Sequence, residues 1–359
     1  MPFKADMQPK ISVVILNYNG KGWLEKFLPN VIEHSTYPNA EIIVADNAST
    51  DDSMAFMASH HLAIRVIQNQ QNNGYAGGYN KALKQIKSDY YVLLNSDVEV
   101  TPGWIENVMD FMLKDPLMAA CQPKILSYSD KSYFEYAGAA GGFIDKYGYP
   151  FCRGRIFDTN ERDEGQYNQS CEIFWASGAC LFVRADLYHS TGGLDEDFFA
   201  HMEEIDLCWR LKNLGYKIGY CAESVVYHVG GGTLHKSNPR KTFLNFLNNR
   251  SLLHKNLSKQ SLQSISIIRN LLDWIAWLKI LLKDSKEADA IKNALKDYRA
   301  SKQSLDAKRQ ANEAMEKSIS IGSPNTSGIY NGSIVWNYFI CKIKAFSKLP
   351  ISKFSNYPS

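Results

Sequence analysis

The sequence lacks the short motifs that identify several common classes of protein. Its seven cysteines include no Cys-x-x-Cys pair and no Cys/His spacing of a metal site, which is typical of small buried thiols in a reducing compartment. There is no Gly-x-Gly-x-x-Gly motif after the first apolar segment and no P-loop lysine motif. These absences disfavour a dehydrogenase and a P-loop enzyme.

Long apolar segments are also missing. No stretch approaches the roughly 18–20 apolar residues that a membrane-spanning helix needs, and the first ten residues, MPFKADMQPK, lack the apolar segment of a signal peptide. We therefore expect a cytoplasmic protein, and its 359 residues are enough for a catalytic domain with an appendage.

Positive charge is concentrated near the carboxyl terminus, although the formal net charge is only +3. From His235 to Lys283 there are nine Lys or Arg and one acid, Asp273; from Ser318 onwards there are four Lys and no acid. This bias predicts a polyanionic surface or substrate near those segments. We do not expect a nucleic acid as a partner.

Apolar strands alternate with helices over residues 11–100. The segments ISVVIL, EIIVAD, AIRVIQ and YYVLLN are near-continuous apolar runs, as expected for parallel strands covered on both faces. Helices are predicted at Gly22–Glu33, Asp51–His60 and Gly77–Lys87. The pattern predicts an α/β fold with a doubly wound, mixed but mostly parallel sheet.

The rest of the chain is predicted to add three regions to this first unit of residues 1–100. Residues 101–240 continue the same domain, with a helix from Pro102 to Lys114, a Gly- and Tyr-rich loop and a helix ended by Gly215. Residues 241–317 form a basic amphipathic helical extension, and 318–359 a linker with a basic aromatic tail.

Polar residues follow three of the predicted strands. The first strand runs into Asn17-Tyr18-Asn19, the second into Asp46, and the fourth into Asn95-Ser96-Asp97. Open α/β sheets bind ligands at the carboxyl edge of their strands, and a carboxylate on rigid backbone there suits a divalent cation that bridges phosphate oxygens. Taken alone, Asp97 is better explained as a cap of the following helix or as the end of its strand.

Two further motifs bear on chemistry. Asn72–Asn80 is Gly-rich and enters a helix, so its backbone can approach a bound nucleotide, although such runs also serve packing and turns. Glu203-Glu204 opens a later helix, where acids are favoured in any case by the helix dipole. Asp206 and Arg210 are spaced i to i+4, which predicts a structural ion pair.

Taken in order, these motifs resemble family 2 glycosyltransferases of the GT-A fold. The resemblance rests on SVVILNYNG, EIIVADNASTD, NNGYAGGYN, LLNSDVEV, GGLDEDFFAHMEEIDLCWRLKNLGY and VVYHVGGGT, and it covers about residues 10–255. Their particular form is most similar to rhamnosyltransferase-type enzymes of bacterial surface polysaccharide synthesis. It implies a nucleotide-sugar-binding half over 1–100 and an acceptor and catalytic half over 101–240.

The resemblance assigns roles to residues of the donor site. It implies that Asn17, Tyr18 and Asn19 line the nucleotide-sugar pocket, and that Asp46 contacts the nucleobase. The segment from Asn73 to Asn80, with Gly74, would line the same pocket, as would Asn95 and Ser96. Asp97 would hold Mg²⁺ or Mn²⁺ on the diphosphate; Asn95 replaces the first acid of the usual pair, and His228 could complete the site or simply be a hydrogen-bonded histidine at a strand end.

The resemblance further implies an inverting transfer from a nucleoside-diphosphate sugar, with dTDP-rhamnose as a candidate donor. Glu204 corresponds to the general base, and Glu203 remains its rival. Trp175, Ser177, Gly178 and His228 would contact the acceptor or the diphosphate. Two alternatives stay open: a non-catalytic nucleotide-sugar-binding scaffold of a polysaccharide assembly complex, and a sugar nucleotidyltransferase.

The basic extension has its own set of interpretations. Apolar residues recur at helical spacing between 265 and 283, with Trp274 and Trp277 beside them. This helix could lie on the cytoplasmic face of the inner membrane and meet a glycan or polyprenyl-diphosphate-linked acceptor. It could equally pack on the catalytic domain or on a second subunit, so a homodimer remains open.

Overall fold

The computed structural model describes residues 8–61, 63–230 and 238–356. Two β-sheets and a set of carboxyl-terminal helices make up this part of the chain. In chain order the strands are β1 (Ile11–Asn17), β2 (Ala40–Asp46), β3 (Arg65–Gln68), β4 (Tyr90–Asn95), β5 (Val98–Val100), β6 (Met118–Ser127), β7 (Gly142–Asp145), β8 (Pro150–Cys152), β9 (Arg155–Ile156), β10 (Thr159–Asn160), β11 (Cys171–Ile173), β12 (Cys180–Arg184), β13 (Lys217–His228) and β14 (Ile329–Tyr330).

Helices connect and cover these strands. They are α1 (Lys21–His34), α2 (Ser53–His60), α3 (Gly74–Leu83), α4 (Trp104–Leu113), α5 (Ala185–Ser190), α6 (Glu203–Asn213), α7 (Pro239–Asn256), α8 (Lys259–Leu281), α9 (Ser285–Ala300), α10 (Lys302–Ile319) and α11 (Ile334–Phe339). Short 3₁₀ turns cover Glu196–Phe198, Phe346–Lys348 and Ile351–Lys353.

The main sheet has the order β11-β13-β6-β12-β4-β1-β2-β3, with β5 paired to β13. Strands β4, β1, β2 and β3 are parallel neighbours, whereas β12 runs antiparallel to β4 and β6. The strands β1 and β4 are buried almost throughout, because helices cover both faces of the sheet. The predicted α/β class with a mostly parallel central sheet and a helical carboxyl-terminal region is confirmed.

Some predicted elements differ from the observed ones. The segment CEIFWASGACLFVRADL, which the sequence indicates to be a strand or a strand pair, forms two strands in different parts of the sheet: β11 pairs with β13, and β12 lies between β4 and β6. Helix α3 begins at Gly74 rather than Gly77, because the side chain of Asn72 accepts the Gly74 N–H and starts the turn early.

A second sheet occupies the region that the sequence predicts to be a Gly- and Tyr-rich loop. Its order is β10-β9-β8-β7-β14, and β7 and β8 are an antiparallel pair with buried residues Phe143 and Phe151. Residues 329–356 pack here, since β14 runs parallel to β7 and Phe346 lies 4.7 Å from Phe143 between ring centroids. The four regions proposed from the sequence, with boundaries near 100, 240 and 317, stay a prediction.

The carboxyl-terminal helices pack around α7. Helix α7 contacts α6, α8, α9 and α10, and its Asn256 side chain donates to Asp206 of α6 over 2.8 Å. Within the described ranges, none of the helices is both long and apolar enough to cross a membrane. Of the seven cysteines, six are buried as expected and Cys341 is exposed.

Candidate functional site

Three strand ends come together at one edge of the main sheet. In the register of β1 and β2, Asn17 lies opposite Asp46, and in that of β1 and β4, Leu16 lies opposite Asn95. The polar residues Asn17, Asp46 and Asn95 therefore end neighbouring parallel strands at the same level, which is where open α/β sheets bind ligands.

Asp46 is held by its immediate surroundings. One carboxylate oxygen accepts hydrogen bonds from Asn17 Nδ2 at 3.1 Å and from Ser49 Oγ at 2.5 Å, and the other accepts the Ser49 N–H at 3.0 Å. The other amide atom of Asn17, Oδ1, is buried with no hydrogen-bond partner among the described residues. This acceptor is the polar atom of the β1–β2 edge that is left for a ligand or water.

The turn after β1 is tied to the turn after β2. Asn19 adopts a left-handed conformation (φ 51°), and its Oδ1 accepts the N–H of Thr50 at 2.7 Å while its own N–H donates to Ser49 Oγ at 2.9 Å. Tyr18, between these anchored positions, is exposed. The side chains of Asn17 and Asn19 thus shape the edge, and Tyr18 projects from it.

A second polar cluster forms where β4 leads into β5 and β13 ends. His228, the last residue of β13, lies with Nε2 3.2 Å from Asp97 Oδ1 and with Nδ1 3.4 Å from Glu135 Oε2. The side-chain amide of Asn95 lies 3.3 Å from the same Nε2. Pairing of β13 with β5, in which His228 lies opposite Val98, brings His228 to Asp97.

The two carboxylates set the protonation of this cluster. Burial would lower the pKa of His228, but Glu135 and Asp97 together raise its pKa to about 10. Burial likewise would raise the pKa of Asp97, but its hydrogen bond with His228 holds that pKa below the ordinary value. In the absence of another cation, the imidazolium of His228 is the positive charge between Asp97 and Glu135.

The donor atoms at this position fit a hard or borderline divalent cation in part. Among the described residues, no group of three or more His, Cys, Asp or Glu side chains could hold a metal ion by itself. Asp97 Oδ1 and His228 Nε2, however, are 3.2 Å apart, close to the edge of an octahedron whose metal–ligand bonds are about 2.1 Å. Further ligands would have to come from a diphosphate and water, the usual arrangement for Mg²⁺ in phosphate sites.

Helix α3 carries the Gly-rich segment beside the strand edge. Gly74 has φ +68°, and a Cβ there would lie 2.5 Å from the carbonyl oxygen of Phe199, so the helix start packs directly on the loop before α6. Asn73 bonds locally to Gln71. Asn80 is fully used within the protein, because it donates to Leu194 O at 2.8 Å and accepts from Tyr188 Oη at 2.6 Å.

Glu203 and Glu204 are the first two residues of α6. Burial raises the pKa of Glu204 to about 7, partly offset by backbone N–H groups that include that of Gly178. Burial and the charge of Glu204 raise the pKa of Glu203 well above its ordinary value. Each carboxyl keeps one oxygen, Oε2, buried without a hydrogen-bond partner among the described residues. At neutral pH, Glu204 is therefore the better proton acceptor of the two.

The segment 175–178 connects the carboxyl pair to the strand edge. Gly178 accepts the Tyr75 hydroxyl at its carbonyl oxygen at 2.6 Å, and its backbone N–H is one of the groups that lower the pKa of Glu204. The next residue, Ala179, accepts the N–H of Asn95 at 3.0 Å. Gly178 and Ala179 thus link Glu204 to the strand end that leads to Asp97.

Trp175 and Ser177 have structural contacts in the same segment. Trp175 is buried and donates its indole N–H to Phe143 O at 2.9 Å. The backbone N–H of Ser177 donates to Gln122 Oε1 at 2.9 Å, and its hydroxyl donates to Ala137 O. These bonds fix the course of the segment that carries Gly178.

The loop before α6 is held in an uncommon backbone conformation. Phe199, His201 and Met202 all have positive φ, between 57° and 77°, a region in which residues other than glycine are strained. The buried Asn248 of α7 donates through its side-chain amide to the carbonyl oxygens of Phe198, Ala200 and His201 at 2.8–2.9 Å. Asn248 therefore braces the loop that presents Glu203 and Glu204.

Sequence reasoning missed Glu135 and Asn248, and it included Tyr75 only as part of the pocket-lining segment from Asn73 to Asn80. Glu135 was detectable only as a single acid beside the apolar Gly-rich stretch, and Asn248 as one of four asparagines in α7; neither pattern identifies a site. The predicted ion pair of Asp206 and Arg210 is confirmed, with Nε 2.9 Å from Oδ2.

Comparisons with known proteins identify the class to which this site belongs. A family model described as glycosyl transferase family 2 matches residues 12–189. The N-acetylglucosaminyl-diphospho-decaprenol L-rhamnosyltransferase of Mycobacterium tuberculosis is 28% identical over 238 residues, which are 62% of this chain and 76% of that protein.

Two solved structures share the fold. A mannosyltransferase from Pyrobaculum calidifontis, solved with GDP-Man and Mn²⁺, has a TM-score of 0.51 at 16% identity over 87% of this chain and 88% of its own. TarS of S. aureus (residues 1–349), solved with UDP-GlcNAc, has a TM-score of 0.53 at 15% identity over 86% and 88%. Residues 12–189 of the chain form a family 2 glycosyltransferase domain, and the fold is that of the GT-A enzymes.

Proposed function

We propose that this glycosyltransferase moves a sugar, with inversion, from a nucleoside-diphosphate sugar to a glycan or lipid-linked glycan acceptor of a surface polysaccharide. The observation that supports this most is the carboxyl pair of Glu203 and Glu204 at the start of α6, where each Oε2 is buried without a hydrogen-bond partner among the described residues. Gly178 lowers the pKa of Glu204 through its backbone N–H, and the next residue, Ala179, accepts the N–H of Asn95, which leads to Asp97.

In this proposal Glu204 is the general base. Its carboxylate takes the proton of the acceptor hydroxyl while that oxygen forms a bond to the anomeric carbon, and the bond from that carbon to the diphosphate oxygen breaks. The nucleoside diphosphate leaves with the electron pair of the broken bond. A positioned base with a pKa near the working pH is typically worth about 10²–10⁴ in rate. Burial and the charge of Glu204 raise the pKa of Glu203 well above its ordinary value, so Glu203 would serve as the neighbour that holds its proton more tightly.

The donor half of the site would hold the nucleotide at the strand edge. Asn17 has the amide oxygen without a hydrogen-bond partner there. The nucleobase would bind Asp46 only if Ser49 gave up one of its two hydrogen bonds to that carboxylate. Asp97 and His228 would hold Mg²⁺ or Mn²⁺, which when bound offsets charge on the departing diphosphate. Asn95 contributes a neutral amide beside them, so this site carries less negative charge than a pair of acids.

The acceptor proposal comes from the related rhamnosyltransferase, whose name specifies a decaprenyl-diphosphate-linked sugar as its substrate. An acceptor on a polyprenyl diphosphate is met at a membrane surface, so we propose that the protein works on the cytoplasmic face of the inner membrane. Such an acceptor would enter on one side of Glu204. That side is bordered by the loop from Phe199 to Met202 and by Gly178 and Tyr75.

A thermal-shift screen tests donor binding. The full chain is melted with dTDP, UDP or GDP, each with and without Mn²⁺, and with dTDP-rhamnose, UDP-GlcNAc and GDP-mannose. One nucleotide should raise the melting temperature more with Mn²⁺ than without, since a ligand at 100 times its dissociation constant stabilises by about 2.7 kcal/mol. If no nucleoside diphosphate or nucleotide sugar shifts the melting temperature, the proposed donor class is wrong.

A further inference from the structure

Helix α8 packs on the protein with its charged side inward. Arg269 and Asp273 are 2% and 1% exposed. Arg269 Nε lies 3.2 Å from Asp273 Oδ1, Arg250 of α7 donates to Asp273 Oδ2 at 2.7 Å, and the Arg269 guanidinium lies 3.9 Å from the centroid of the Tyr149 ring. These buried charges pair with one another. Rotating the helix would leave buried charges without partners, which is costly, so the orientation of α8 is fixed.

The fixed orientation turns the apolar side of α8 outward. Ile267 is 81% exposed and Trp274 56% exposed. The exposed apolar residues follow one helical stripe and continue past the last turn: Ile267, Ile268, Leu271, Trp274, Ile275, Leu278, Leu281 and Leu282. An ordinary surface helix shows the opposite arrangement, so this stripe needs a partner outside the described chain.

Helix α11 extends the same apolar surface. Lys279 of α8 lies with Nζ 4.2 Å from the Phe339 ring centroid of α11, which joins the two helices at the surface. Trp336 is 59% exposed, and Phe339 and Ile340 are exposed beside it. We call the exposed residues of α8 and α11 together the α8–α11 face.

The exposed charged residues of the two segments that carry the α8–α11 face, 259–283 and 318–356, are all positive. Among the described residues 259–283 and 318–356, the single acid is the buried Asp273. The exposed lysines of these segments are Lys259, Lys279, Lys283, Lys342, Lys344, Lys348 and Lys353. Such a rim attracts an anionic surface. It would repel the identical rim of a second copy related by a two-fold axis, where the same patch meets itself.

We propose that the α8–α11 face binds the surface of a bilayer containing anionic lipid, with the tryptophans at headgroup level and the lysines over lipid phosphates. Tryptophan is enriched at this depth of a membrane, and amphipathic helices with basic rims lie in it without crossing it. The inference rests on the proposed function for its purpose, because a lipid-linked acceptor is met there.

Flotation of the full chain with vesicles tests the face. Vesicles of phosphatidylcholine alone are compared with vesicles that contain about one third phosphatidylglycerol, for the wild type and for the triple variant Leu271→Gln/Trp274→Gln/Leu278→Gln. We expect the wild type to float with the anionic vesicles and the variant to lose about tenfold or more in bound fraction. A control, Ile32→Gln/Leu113→Gln/Leu117→Gln, removes three apolar side chains elsewhere that are 38–44% exposed and should float as the wild type.

A charge variant addresses the rim separately. Lys283→Glu/Lys344→Glu/Lys348→Glu should reduce flotation with anionic vesicles while leaving the melting temperature unchanged, and added salt should weaken wild-type binding in the same way. This variant leaves α8 intact. If the apolar variant fails to fold, the charge variant still tests whether the α8–α11 face binds anionic vesicles.

Three results would overturn the proposal. They are a wild type that stays with the unbound fraction, an α8 variant that floats as well as the wild type, and a wild-type dimer that the α8 variant converts to a monomer without any flotation. Nucleotide binding measured without vesicles is independent of all three, so a failure of the face and a failure of the proposed function remain distinguishable.

Discussion

His228 and Asp97 meet at the ends of two strands, with Nε2 of the histidine 3.2 Å from Oδ1 of the aspartate. Glu135 lies on the other side of the imidazole, 3.4 Å from Nδ1. Second partners of this kind orient a ligating histidine and tune its basicity. We therefore expect the three residues to act as a unit, although only two of them would touch a metal or a diphosphate.

The first prediction concerns Glu135. Glu135→Gln should weaken Mn²⁺ binding about 10-fold or more, the usual effect of removing a histidine's second partner, because His228 loses the carboxylate that orients it. Calorimetric titration of Mn²⁺ in the presence of the nucleoside diphosphate measures this. Glu33→Gln, an exposed substitution on α1, serves as the control. If the wild type, Glu135→Gln and Glu33→Gln bind Mn²⁺ with equal affinity, Glu135 does not contribute to the metal site.

The second prediction concerns the pH dependence of transfer. Burial raises the pKa of Glu204 to about 7, and the base must be deprotonated to accept the acceptor proton. The turnover rate should therefore fall about tenfold for each pH unit below 7 and level off above it. The measurement is kcat against pH with saturating donor and acceptor. A rate that stays constant from pH 5 to 8 would contradict the assignment.

The third prediction links the same pKa to stability. The pKa of Glu204 is higher in the folded protein than its ordinary 4.5, so the folded state holds the proton more tightly and its stability falls as pH rises from about 4.5 to about 7. Glu204→Gln removes this loss. The variant should melt at least about 1–2 °C above the wild type at pH 8, the shift that roughly 1 kcal/mol gives when the unfolding entropy is about 2 cal/mol/K per residue, and the difference should close near pH 5.

The fourth prediction concerns Asn248 as a positioning residue. Asn248→Ala leaves three loop carbonyls without their donor, at a cost of about 1–3 kcal/mol for buried groups. The loop before Glu204 then loses the hydrogen bonds that hold its conformation. We expect kcat to fall while the Kd of the nucleoside diphosphate stays unchanged, because the strand edge is not altered. A purely structural role would instead lower the melting temperature and leave kcat per folded molecule as in the wild type; Asn249→Ala, its buried neighbour on α7, is the control.

The strand edge was predictable from the sequence because its cause is local. Apolar runs that end in Asn17, Asp46 and Asn95 give parallel strands whose carboxyl ends share an edge, so their polar residues had to converge. The ion pair of Asp206 and Arg210 was predictable for a similar reason, since helical spacing alone brings the two side chains together.

Contacts made over long sequence separations were not predictable. Glu135 reaches His228 because its N–H bonds to Ile125 on β6, and β6 pairs with β13; no periodicity signals this. The sequence also revealed the apolar stripe of α8 but not the direction in which it points. That depends on Arg250 and Tyr149, which bind the charged side of the helix.

The most direct test of the proposed mechanism compares Glu204→Gln with Glu203→Gln, using the donor found in the thermal-shift screen. Equilibrium binding of that donor and its transfer to acceptor are measured for both variants. We predict that Glu204→Gln binds the donor as the wild type does but loses about 10²–10⁴ in transfer rate, whereas Glu203→Gln retains most of its rate. Wild-type turnover in Glu204→Gln would contradict the mechanism proposed here.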